Sequence, residues 1–148
     1  MAAKTTKTPK TPKVNDNKIY AGKRKTAVAK LRVKPGTGRI FYNLLSHDEL
    51  GMFHKLALIE PIRIYQQELG EDLKSDFFIT TSGGGKESQI QAARLVIAKA
   101  LVEITGSETL KKAYIKYDRN MIVPDSRRKE TRKPGDSKAR ARRQKSYR

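Results

Sequence analysis

The chain has 148 residues, 33 of them Lys or Arg against 15 Asp or Glu, for a formal charge of +18. Hydrophobic residues make up 36%, below the usual share of about 45–50% for a globular domain, so a core is expected but not one that uses the whole chain. The absence of Cys excludes disulfides and thiolate chemistry, no apolar run nears the ~20 residues that span a bilayer, and the Lys/Thr/Pro start is not a secretory signal; a soluble protein of a reducing compartment is expected.

The charge divides the chain. Residues 1–18 carry +4 and repeat Thr-Pro-Lys, a low-complexity extension expected to be disordered in isolation. Residues 19–34 carry +6 with no acid, residues 35–124 are neutral, and residues 125–148 carry +8. A neutral α/β body over 19–124 is therefore expected between two basic segments, the second an extended tail over 125–148. A solvated face mixes signs, whereas a bias of one sign points to a polyanionic partner.

Within the body, Ile19, Ala21, Ala27, Ala29, Leu31 and Val33 follow the period-2 pattern of a half-buried strand. Pro35–Gly38 reads as a turn and Arg39–Asn43 as a second strand, so 19–43 is expected to form a hairpin. Ser46 before Asp48 and Glu49 reads as a helix N-cap with an acidic first turn, and a short helical stretch is expected around Pro61. Phe77–Thr81 is a further strand, ended by Gly83-Gly84-Gly85. A helix over 87–105 follows, with Ile90, Ala93, Ile97, Leu101 and Ile104 on one face. Gly106 closes it, Ser107 caps a helix over 108–116, and Ile122-Val123 is expected to add a last short strand.

Catalytic and metal chemistry finds little support. A P-loop needs Gly six residues before the Lys and Ser or Thr after it, but Thr80 and Glu87 stand at those places around Lys86. The glycine run instead reads as a sharp strand-to-helix turn close to nucleic acid, at a helix N-terminus that can hold a phosphate. His47 and His54 lack convergent ligands. Glu68, Glu71, Asp72 and Asp76 read as a solvated loop or helix end. No Ser lies in a nucleophile elbow. No cofactor, metal or small-molecule substrate is expected, and no enzyme.

The basic segments carry the signal. Lys23, Arg24 and Lys25 are consecutive, with Lys30 further along. They are expected to contact phosphates, since nothing there offers base-specific groups in register. The C-terminal segment mixes Arg and Lys with Ser, Gln and Tyr147; such segments order on phosphates through counterion release. Charge alone leaves open a free-standing RNA chaperone or a DNA-binding protein.

Four stretches narrow this. They are Gly22–Ala29 with Gly38-Arg39-Ile40; Gly83-Gly84-Gly85 with Gln89, Ala93-Arg94 and Ile97–Leu101; Asp125–Glu130; and Lys138-Ala139-Arg140 with Gln144–Arg148. In that order they resemble the universal ninth-protein family of the small ribosomal subunit. The ending Lys145-Ser146-Tyr147-Arg148 is similar to the archaeal and eukaryotic cytosolic branch. Lys86-Glu87 departs from the small or apolar residues of the family, and Ser126 replaces a common Pro. The resemblance implies an α+β, two-layer fold: a four-stranded sheet with helices on one face, like the second domain of the fifth small-subunit protein, with a left-handed βαβ crossover. It implies a place in the head of the cytoplasmic small subunit, on small-subunit rRNA and beside other head proteins. Residues assigned to rRNA are Lys23, Arg24, Lys25, Lys30, Gly83, Gly84, Gly85, Gln89, Arg94, Arg127, Arg128, Arg132, Lys133, Lys138, Arg140, Arg142, Arg143 and Gln144. The tip, Lys145, Ser146, Tyr147 and Arg148, is assigned to the anticodon stem-loop of peptidyl-site tRNA.

Overall fold

The structure, a computed structural model, describes residues 18–132 and 138–140. The period-2 run at the start of the body folds as two strands, not one. Strand β1 (Ile19–Arg24) and β2 (Ala27–Pro35) pair antiparallel around Lys25 and Thr26, with Arg24 opposite Ala27. Lys25 takes φ +53°, the left-handed conformation that lets two residues reverse the chain. The turn also shifts the phase of the alternation: Tyr20 and Gly22 stand beside Leu31 and Ala29 on the core side, so Ile19 and Ala21, read from the period as inward, are exposed.

Strand β3 (Ile40–Tyr42) does not pair with β2. Strand β5 (Ser75–Ser82) lies between them, antiparallel to β2 and parallel to β3. A two-residue strand β4 (Leu45–Ser46) completes the order β1-β2-β5-β3-β4. Among the described residues the fold is thus mixed α+β with five strands, where four were expected, and the expected 19–43 hairpin is replaced by the 19–35 hairpin. Adjacent strands in sequence were read as adjacent in space; the longer-range partner, with its core side chains Phe77 and Ile79, displaces that pairing.

Among the described residues three helices build the second layer. Helix α1 (Met52–Leu69) is longer than expected and runs through Pro61, which is buried and deprives the Ala57 carbonyl of its helical donor. Helix α2 (Lys86–Thr105) ends at Gly106, and α3 (Glu108–Tyr117) starts at Ser107, whose hydroxyl accepts from Leu110 N–H as expected. Ser46 caps no α-helix: a single 3-10 turn over His47–Glu49 follows, with no capping hydrogen bond from the Ser46 side chain. Ile122-Val123 forms no strand, because a 3-10 turn over Arg119–Met121 buries Met121 and brings the chain out of the body.

The core lies between the layers. Ala29, Leu31 and Val33 of β2, Ile40 and Tyr42 of β3, and Phe77 and Ile79 of β5 face Ile90, Ala93, Val96, Ile97 and Leu101 of α2. Helix α2 crosses β1 so closely that a Cβ on Gly22 would stand 2.5 Å from Val96 Cγ2. Tyr114 of α3 is fully buried and donates its hydroxyl to the Pro61 carbonyl at 2.7 Å, tying α3 to α1. Burial pushes that phenol well above its ordinary range.

Candidate nucleic-acid interface

One end of the sheet collects parts of three of the four sequence stretches. The β1–β2 turn carries Lys23, Arg24 and Lys25 there, with Lys23 and Lys25 exposed. Gly83 and Gly84 follow β5 at the same end with φ +71° and +66°. They turn the chain against the hairpin: a Cβ on Gly83 would lie 2.8 Å from Thr26 O, and one on Gly84 would lie 2.9 Å from Ala27 Cβ. The close approach behind this glycine pair is therefore the protein's own backbone. Gly85 differs, since its φ is −105° and nothing lies within 4 Å of where its Cβ would stand.

The turn is locked from beneath. Gln89 Nε2 donates to Gly83 O at 2.9 Å, and its Oε1 accepts from the Tyr42 hydroxyl at 3.2 Å. The Thr81 hydroxyl donates to Tyr42 Oη at 3.1 Å and accepts from Asn43 Nδ2 at 3.0 Å. Gln89 thus serves the shape of the turn. Glu87, in the first turn of α2, meets His54 Nε2 at 2.7 Å.

The third stretch arrives through an ion pair. The Asp125 carboxylate, with only 7% of its side chain exposed, pairs with Arg24 and accepts from Arg127 at 2.7 Å. The Arg127 hydrogen bonds, and then Arg24, hold that carboxyl far below the usual carboxylate range. Arg24 also donates Nε to Gln91 Oε1 at 2.9 Å, so its guanidinium bridges β1, α2 and the root of the C-terminal segment. Arg127, Arg128 and Arg132 beyond the root are exposed. Lys138 and Arg140 are exposed too, with Arg140 paired to Glu130 at 2.5 Å.

Arg94 sits apart from this end. Its Nε is 2.5 Å from Glu60 Oε2 and its Nη1 2.9 Å from Asp118 Oδ2, with 19% of the side chain exposed. That guanidinium joins α1, α2 and the end of α3. Asp76, read as part of a solvated acidic cluster, is instead a strand residue whose Oδ1 accepts from Thr37 N and Arg39 N at 2.8 and 2.9 Å. The sequence assignments Lys133, Arg142, Arg143, Gln144, Lys145, Ser146, Tyr147 and Arg148 lie outside the described residues, as does nearly all of the 1–18 extension. Lys18 is described, paired with Glu103 and 5.5 Å above the Tyr20 ring.

The sequence reading did not select Arg32 and Lys34, which join Lys30 as exposed cations on β2. The alternation Lys-Leu-Arg-Val-Lys marks them, because every second side chain must leave the core. Among the described residues no group of His, Cys, Asp and Glu is placed to hold a metal, and no helix is long and apolar enough to cross a membrane.

Comparison with known proteins points one way. A family model described as ribosomal protein S9/S16 matches residues 22–148. The chain is 40% identical over 130 residues to the small ribosomal subunit protein uS9 of Methanococcus vannielii, covering 86% of this chain and 95% of that one. The uS9 protein of Methanococcus maripaludis shows the same identity and coverage.

Proposed function

The chain belongs to the ribosomal protein S9/S16 family, as an archaeal-type protein of the small ribosomal subunit and not an enzyme, and from that premise we propose how it holds RNA. The end of the sheet where the β1–β2 turn, the glycine turn and the root of the C-terminal segment meet is the rRNA-binding end of the body. The observation that carries this is the Arg24–Asp125 ion pair, which fixes the root of the +8 segment beside the cations of the turn. Lys23 and Lys25 are exposed, with no carboxylate partner among the described residues, and take phosphates, as do Arg127, Arg128 and Arg132. Gly85 leaves open space at the N-terminus of α2 for a backbone phosphate. Gln89 supports the glycine turn from within.

The C-terminal segment carries the contact onward. Twenty-four extended residues, 125–148, reach at most roughly 80 Å, and 11 cations over that length neutralise an RNA lining. We assign its tip to tRNA in the peptidyl site: Arg148 to an anticodon-loop phosphate through a charge-assisted fork, Lys145 to the neighbouring backbone, and Ser146 and Tyr147 to ribose or base. A free-standing chaperone or DNA-binding protein is the competing reading, and a match running through nearly the whole chain favours the ribosomal one.

The test is the salt dependence of rRNA binding. The double variant Lys23→Ala/Lys25→Ala is expected to flatten the slope of log affinity against log salt by about 1.5 units, at roughly 0.7–0.9 per lost contact. An unchanged slope contradicts the assignment of this end. For the tip, small subunits carrying a protein truncated after Gln144 are expected to assemble normally and to bind peptidyl-site tRNA about ten-fold or more weakly, as for a lost set of charged hydrogen bonds. Equal tRNA affinity in filter binding at fixed salt and Mg²⁺ contradicts it.

A further inference from the structure

The sheet has a second face, and it has no helix on it among the described residues. Registers place its side chains. On β2 the outward residues are Val28, Lys30, Arg32 and Lys34, and opposite them on β5 stand Ser82, Thr80, Phe78 and Asp76. Phe41 of β3 lies opposite Phe78, and Ile19 of β1 opposite Arg32. One row across the sheet therefore reads Ile19, Arg32, Phe78, Phe41. The Phe41 and Phe78 rings are stacked, with centroids 5.0 Å apart and planes within 9°. Lys34 Nζ stands 5.3 Å over the Phe78 ring.

Two features of this face point to its ligand. Among the described residues its cations have no carboxylate partner within 4 Å: Asp76, on the same face, accepts from the Thr37 and Arg39 backbone and lies 3.9 Å from Arg39 Nε. Lys30, Arg32 and Lys34 are all exposed and spaced by two strand residues, about 6.6 Å apart. A row of unneutralised cations beside a half-exposed aromatic pair suits phosphates next to unstacked bases. An apolar protein partner would leave those cations buried and unpaired, and a duplex would offer its phosphates but no base face to the rings.

The geometry points to a second RNA site on this open sheet face, taking a short run of unpaired rRNA nucleotides whose bases stack on Phe41 and Phe78 and whose phosphates follow Lys30, Arg32 and Lys34. The site deepens the reading of the chain as an rRNA-binding ribosomal protein and rests on it. It is distinct from the end where the hairpin and glycine turns meet, and it reads unpaired bases where that end reads backbone.

The probe is a short single-stranded RNA containing 2-aminopurine, added to the full chain, with a duplex of the same sequence and a folded rRNA fragment alongside. The native chain is expected to quench 2-aminopurine in the single strand. The variant Phe41→Leu/Phe78→Leu is expected to lose the quench and about ten-fold or more in single-strand affinity, with duplex affinity unchanged. Phe78→Tyr, which keeps the ring, is expected to behave as the native chain. Should the double Leu variant fail to fold by far-UV circular dichroism, Lys30→Gln/Arg32→Gln at exposed positions takes its place, with a comparable loss expected. Quenching that survives the ring or charge substitutions overturns the site. So does binding of the folded rRNA fragment without any quench, which leaves the ribosomal reading intact. Binding to none of the three RNAs overturns both.

Discussion

Asp76 is the carboxylate through which β5 holds the loop before β3. The Arg39 and Thr37 backbone N–H groups donate to it and lower its pKa. A lowered folded value means that the native chain binds fewer protons than the unfolded chain as the pH falls. The stabilisation is complete above the unfolded value of about 3.9, and it is lost as the pH falls from there through the lower folded value. Asp125 acts with the same sign at the root of the C-terminal segment. Asp76→Asn is expected to cost about 1–3 kcal/mol at pH 7, the scale of hydrogen bonds to a charged group. Urea unfolding at pH 7 and pH 3 should then show a smaller acid penalty in the variant than in the native chain; an equal penalty contradicts the role given to Asp76. The glycine turn offers a second contrast between single residues. Gly83→Ala meets both a left-handed φ and Thr26 O, so a loss of more than about 1–2 kcal/mol is expected in thermal unfolding. Gly85→Ala meets neither and is expected to leave stability nearly unchanged while weakening rRNA binding, because its methyl group fills the space given to a phosphate. A fold-neutral Gly83→Ala contradicts the packing account.

Among the elements, those with strong local signals were legible in the sequence. Helix α2 announces itself through apolar residues at steps of three and four, and α3 through Gly106 and the Ser107 cap at their junction. The inward alternation of β2 was equally plain. The break at Lys25-Thr26 was not, because it depends on a positive φ at a lysine. The insertion of β5 between β2 and β3 was not either, because strand neighbours are chosen by packing over long separation rather than by any local pattern. At the candidate site, the hairpin cations, the glycine turn and the basic root were readable as motifs. Their meeting at one end depends on topology, and so do the internal placements of Arg94 and Gln89. Arg94 was assigned to rRNA through the family resemblance, and no local pattern hints at Glu60 and Asp118 beside it. Arg94→Ala is expected to lower stability by about 1–3 kcal/mol by leaving two partly buried carboxylates unpaired, with no change in the salt slope of rRNA binding. A flattened slope with unchanged stability contradicts the internal role.

At the scale of the whole molecule, charge and fold divide the labour. The neutral body supplies the core and rigid geometry. The excess charge lies on β1, β2 and the two terminal segments. The body's task is to present that charge in fixed register: the glycine turn braces the hairpin, and the Arg24–Asp125 pair starts the C-terminal segment from the same place. Long-range electrostatics then bring the protein to RNA, and short-range phosphate contacts fix its orientation. The central claim is that the hairpin turn and the C-terminal root grip RNA together. Lysine-to-RNA cross-linking in assembled small subunits, with the adducts of Lys23, Lys25 and Lys129 mapped on the rRNA, tests it most directly. Adducts from all three lysines on one neighbourhood of the folded rRNA are the predicted result. Hairpin lysines that cross-link only to protein, or to an rRNA region remote from that of Lys129, would contradict it.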